Sequence, residues 1–130
     1  MLLFDTFKDT IFLKEDSTLE KQRDALNKLL KEYSNREDIV EELYLINKGI
    51  AGEKEIKYQL SKSNIGMYVL HDVNLQNADL KAQVDYIIIT KVCAYFIECK
   101  NLVGNITINE RGDFIREFVI NSKKIKKGMY

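Results

Sequence analysis

The chain contains no proline, one histidine and only two cysteines in 130 residues. Without proline there is no Pro-rich linker to part it into segments, and neither an internal repeat nor a low-complexity tract takes that place. Cys93 and Cys99 lie on strand-like sequence, on one face but apart along it, which suits neither a disulfide nor a zinc pair. They read as small core residues in a reducing compartment. No apolar run approaches the roughly 20 residues of a membrane span. The opening MLLFDTFKDTIFLK has too short an apolar region and too many acids for a signal peptide. A cytoplasmic location, with no membrane partner, follows as the default. The formal net charge is zero, so the molecule as a whole has no basic field to gather nucleic acid. That weighs against a DNA-coating protein. It does not exclude a nuclease, because bound metal ions carry much of the phosphate neutralisation.

What is present fits one soluble globular domain with a real core: 45% hydrophobic and 31% charged residues leave the disordered class behind. Residues 1–15 show no clean period. Ser17 followed by Glu20 forms a capping box, and Leu19, Leu26, Leu29, Leu30 and Tyr33 repeat at helical spacing behind it. After a break at Ser34-Asn35, Ile39, Val40, Leu43, Leu45 and Ile46 make the apolar side of a second helix. A third helical pattern carries Ile56, Tyr58 and Leu60. Gly49 and Gly52 stand between the second and third, marking a helix boundary or a close approach of backbone. Glu53 then falls in a first helical turn. It either aims at the strand ends or simply favours a helix N-terminus.

Met67–Val73 reads as a strand, and the polar stretch from Asn74 to Ala82 as a mobile loop. His71 on that strand reads as structural. Asn105–Ile108 and Phe114–Ile120, around a turn at 109–113, form a hairpin with alternating faces. The basic run Lys123, Lys124, Lys126 and Lys127 is either a solvated tail or a phosphate-contacting edge. The order α-α-α-β-β-β followed by a hairpin gives a mixed α/β (α+β) class.

The most unusual charges lie between Gln83 and Gly104. Asp85 opens the apolar run Tyr86-Ile87-Ile88-Ile89, while Glu98 and Lys100 close Ala94-Tyr95-Phe96-Ile97. An unpaired charge in such a strand costs several kcal/mol, so these groups need partners. With a turn centred near Thr90-Lys91-Val92, an antiparallel pair sets Asp85 level with Glu98, and Glu98 shares a face with Lys100. Two carboxylates and an amine would converge at one end of a sheet, as metal-assisted phosphodiester hydrolysis requires. A buried ion triad of no catalytic meaning accounts for the same three residues. The triplet Asp/Glu-x-Lys alone decides nothing, since about two copies arise by chance at this composition.

Order and spacing decide more. Gly49-Ile50-Ala51-Gly52-Glu53, then Ala82-Gln83-Val84-Asp85-Tyr86-Ile87, then Phe96-Ile97-Glu98-Cys99-Lys100-Asn101 and Gly104 resemble the nuclease-related domain (NERD) of the PD-(D/E)xK superfamily over residues 48–104. The resemblance implies a restriction-endonuclease-like core at 48–130, preceded by a helical extension at 1–47. It implies Mg²⁺- or Mn²⁺-dependent hydrolysis of DNA, or of RNA, in DNA processing, repair or defence. Asp85, Glu98 and the backbone carbonyl of Cys99 would hold the metal. Lys100 would position or activate the attacking water, Glu53 would bind a second metal or a metal-bound water, and Gln83 would support the site. The family pattern continues with a further helix and strand that this chain lacks. A homodimer through an exposed sheet edge is therefore expected, as is the alternative of a non-catalytic scaffold that binds nucleic acid or a protein.

Overall fold

In a computed structural model, residues 8–102, 104–120 and 122–128 are described. Residues 1–7 of the aperiodic opening, and the last two residues of the expected core, lie outside them. Strand β1 (Thr10–Lys14) leads into helices α1 (Thr18–Glu32) and α2 (Glu37–Lys62). Strands β2 (Met67–Asn77), β3 (Leu80–Ile89) and β4 (Ala94–Ile97) follow. They form a mixed sheet in the order β1-β2-β3-β4, with β1 parallel to β2 and the other pairs antiparallel. A second, antiparallel sheet holds β5 (Asn105–Ile108), β6 (Phe114–Ile120) and β7 (Lys123–Gly128) in order. The class is mixed α+β, as expected of a nuclease-like fold.

Four expectations change. The second and third helices are one, because α2 runs unbroken through Gly49 and Gly52. These glycines serve packing: a Cβ at 52 would lie 2.8 Å from the Cβ of Asn101, and one at 49 would meet Leu19 at 3.0 Å. Glu53 is therefore mid-helix and belongs to no first turn. Residues 74–82 are not a loop but the far arms of the β2–β3 hairpin, closed around Ala78 at φ 51. Backbone pairing holds this polar stretch extended where its side chains gave no apolar signal. The irregular start contains β1, which pairs with Met67–Leu70. Finally, Cys93 sits exposed in the turn before β4, not in the core, whereas Cys99 is half-buried.

The core lies between α2 and one face of the first sheet. Met67, Val69, Tyr86 and Ile88 are buried there, and Ile56, Leu60, Phe12, Ile97 and Cys99 pack around them. Along α2, Ile39, Leu43, Ile46 and Ile50 form the buried stripe at helical spacing, while Val40 and Leu45, expected on it, are exposed. The break after α1 falls where Ser34-Asn35 predicts it. The other end of α2 stops at Ser63, with Asn64 in the left-handed region at φ 55.

Candidate active site

The β3–β4 hairpin builds the site. Thr90 N–H donates to the Cys93 carbonyl at 2.9 Å and closes the turn, which fixes the register Ile89–Ala94 through Tyr86–Ile97. The pairing ends there, and the next residues along the two strands are Asp85 and Glu98. The Asp85 carboxylate accepts a hydrogen bond from the backbone N–H of Cys99 at 2.6 Å. The Cys99 side chain packs inward against the core. Glu98 and Lys100, on either side of it, turn outward and pair with each other. The structure thus brings Asp85, Glu98 and Lys100 to one end of the sheet.

Burial raises the Asp85 carboxyl above its ordinary acidity range. The Cys99 N–H works against this, and the charges of Glu98 and Glu53 add to it. Burial also pushes the Cys99 thiol up to about 11, helped by the charge of Asp85, so it is a neutral packing group.

Glu53 is held elsewhere. It is buried, and its carboxylate lies 2.7 Å from Nε2 of His71 and accepts from the Ser17 hydroxyl at 3.4 Å. The His71 ring stacks on the Tyr86 ring, with centroids 4.6 Å apart, and the Tyr86 hydroxyl donates to the Glu53 carbonyl at 2.9 Å. Burial disfavours a proton on His71, yet Glu53 and the carbonyl of Glu15 outweigh it and raise its pKa. Among the described residues, no three His, Cys, Asp or Glu side chains lie close enough to surround one metal ion. Glu53 is not gathered into a ligand set with Asp85 and Glu98.

Gln83 reaches Asp72, donating to its carboxylate at 2.5 Å. The other carboxylate oxygen accepts from the N–H of Thr18, so the first turn of α1 is capped from β2. Ser17 stands at the expected N-cap position, but its side chain makes no cap bond. Asp72 takes a left-handed φ of 54, unusual for a non-glycine residue, and Lys14 binds its carbonyl at 2.8 Å. His71 and Asp72 are the residues that sequence reasoning undervalued. Their signal was a charged pair interrupting an apolar strand, the same signal that singled out Asp85.

The basic run is strand β7, not a loose tail. Lys124 and Lys126 both pair with Glu117 at 3.1 Å, Lys127 stands opposite Arg116, and Lys123 opposite Ile120. At the front of the site, Asn101 donates to the Lys48 carbonyl at 2.8 Å and so ties the segment after Lys100 to α2. Gly52 makes that approach sterically available.

Among known proteins, no curated protein and no solved structure matches the chain. A family model described as the nuclease-related domain matches residues 48–129, the span that contains Glu53, the β3–β4 hairpin and the whole second sheet. With that match over more than half its length, the chain belongs to the nuclease-related domain (NERD) family.

Proposed function

We propose that this domain hydrolyses phosphodiester bonds of DNA with the help of a divalent cation. One observation supports the reading: the Asp85 carboxylate is bound to the backbone N–H of Cys99, between Glu98 and Lys100, which pair with each other. The donor chemistry fits Mg²⁺ or Mn²⁺, since Asp85, Glu98 and the Cys99 carbonyl offer only hard oxygen atoms. Those three would hold the ion; Glu53, committed to His71 and Ser17, is left out of the set. When bound, the cation supplies Lewis-acid polarisation of the phosphoryl group.

The remaining work belongs to the chain. Lys100 places a positive charge where negative charge develops on phosphate oxygens, and it orients the attacking water. The Cys99 N–H fixes one oxygen of Asp85, which holds that carboxylate in a single orientation before substrate arrives. Asn101, anchored on α2, keeps the strand end from swinging. Gln83 acts at one remove, through Asp72.

Purified protein incubated with single- and double-stranded DNA in Mg²⁺ or Mn²⁺ should cut. Asp85→Ala and Lys100→Ala should abolish cutting while circular dichroism stays unchanged. A wild-type protein that is inert on DNA and RNA with both metals ends the catalytic reading.

A scaffold that binds nucleic acid or protein without cutting is the second reading. It is favoured by the Glu98–Lys100 pair, which satisfies both charges without a metal, and by the want of a three-ligand cluster among the described residues. Calorimetry with Mn²⁺ separates the two. Heat that Asp85→Asn removes supports the enzyme, and no heat supports the scaffold.

A further inference from the structure

Beside the candidate active site, a cleft of about 550 Å³ opens between α2 and β6. Tyr44 and Lys48 line it from the helix, Arg116 and Phe118 from the strand, and Lys100 lines it from the segment after β4. A smaller recess of about 220 Å³ shares Lys100, Leu102 and Arg116 with it and adds Lys127. Four cations therefore line these two neighbouring depressions, and among the described residues no acidic one is found in the lining of either. In a chain of zero net charge this is a local concentration of one sign. Lys100 shares its charge with Glu98. Lys124 and Lys126 are spent on Glu117, so the alternation of β7 divides the basic run and leaves Lys127 with the cleft.

Two of these cations lie over aromatic rings. The Arg116 guanidinium lies 4.2 Å from the centre of the Phe118 ring, and the Lys48 ammonium 5.6 Å from that of Tyr44. Tyr44 and Leu45 nevertheless remain more than half exposed. A planar guanidinium stacked on a ring offers its other side to a base, and an exposed tyrosine beside a lysine offers a stacking surface next to a phosphate contact. The volume falls in the range of small-molecule pockets, roughly 300–1,000 Å³. A volume of that size suits one or two unstacked nucleotides.

We infer that this cleft binds a single-stranded stretch of polynucleotide and feeds its backbone past Lys100 to Asp85 and Glu98. The inference rests on the nuclease reading for its class of ligand. It adds that the substrate reaches the site as a strand end, flap or gap rather than as intact duplex. Phosphates meet Lys48, Arg116 and Lys127, while bases stack on Tyr44 and on the Arg116–Phe118 pair.

Fluorescence anisotropy in EDTA tests this without any cleavage, using short labelled oligo(dT), oligo(rU) and a duplex of matched length. The expected result is that single strands bind more tightly than duplex. Arg116→Ala and Lys48→Ala should weaken that binding about tenfold, and Tyr44→Ala severalfold. Arg116→Lys, which keeps the charge and loses the planar stack, should fall between wild type and Arg116→Ala. Lys28→Ala, which removes an exposed charge on α1, should have no effect. Variants are compared only where their melting temperature matches wild type, and Arg116→Lys supplies the test should Arg116→Ala unfold. Binding of both oligo(dT) and oligo(rU) marks recognition of the shared backbone and base faces, whereas binding of one alone names the source. The inference is overturned if no strand binds, if duplex binds equally well, if the cleft variants behave like Lys28→Ala, or if polyglutamate displaces the strand as effectively as a competing oligonucleotide. A cleft that binds strands in a protein that never cuts keeps this inference and sinks the nuclease reading. Cutting that survives loss of the cleft does the reverse.

Discussion

The molecule holds two carboxylate centres that differ in how completely they are satisfied. Glu53 is buried between α1, α2 and β2 beside a small open recess of about 50 Å³, with His71 on one carboxylate oxygen and Ser17 donating to the same one. Asp85 and Glu98 sit at a strand end, half-exposed, with one fixed backbone donor and a lysine that spans only two residues. A buried acid with fixed partners ties elements together, and the oxygen that holds those partners is not offered to a ligand. An acid that keeps an unused oxygen at a surface can still take a ligand. The first centre is thus read as scaffold and the second as chemistry, although the family resemblance implies a site role for Glu53 as well.

Mutation can break this contrast. The largest effect is expected at the buried centre: Glu53→Ala leaves His71 buried without its partner, and such a loss costs about 3 kcal/mol. Asp85→Asn keeps an oxygen for the Cys99 N–H, so its cost in stability should stay within about 1 kcal/mol while activity disappears. Urea denaturation of both variants ranks them. Equal losses would erase the distinction between the centres.

Gly52→Ala comes next, because it joins the two centres. Its new methyl would press on Asn101 at 2.8 Å and move the segment that carries Lys100. A destabilisation of about 1–2 kcal/mol is expected despite the better helix propensity of alanine, together with lower activity. A melting temperature above wild type would show that Asn101 gives way freely.

The smallest effect is that of pH on the buried pair. His71 binds its proton more tightly in the folded chain than in the unfolded one. Its contribution is therefore complete below the ordinary value of 6.5 and fades as pH rises through the higher folded value. The Asp85 carboxyl is also raised, so folding favours its protonated form, and that advantage fades as pH climbs from its ordinary 3.8. Near pH 4 that advantage is opposed by Asp72 and Glu117, whose carboxyls are held below their ordinary range, so the fall in denaturation midpoint is expected between about pH 6 and 8, and His71→Phe should flatten it.

The hairpin was legible because β3 and β4 are apolar runs with a short turn between them, and a two-residue alternation leaves little choice of register. The same rule made Asp85, Glu98 and Lys100 readable as a set. The length of α2 was not legible, since glycine lowers helix propensity and nothing in the adjacent sequence announces Asn101 as the reason for Gly52. The β2–β3 arms were missed because their side chains are polar and backbone pairing alone holds them. His71 gave no sign of its partner, which lies 18 positions away on another element.

By itself the chain's order of residues determined the elements with strong periodicity, the pairing of the central hairpin, and the placing of two acids and a lysine at its end. These are local matters, governed by alternation and by the cost of charge in an apolar strand. Only the tertiary structure decided that Glu53 belongs to His71, that Asp72 caps a helix from a distant strand, and that Arg116 joins Lys48 in one cleft and Lys127 in the recess beside it. Those facts depend on which surfaces meet when helix and sheets pack, and contact between residues far apart in the chain leaves no periodic trace in it.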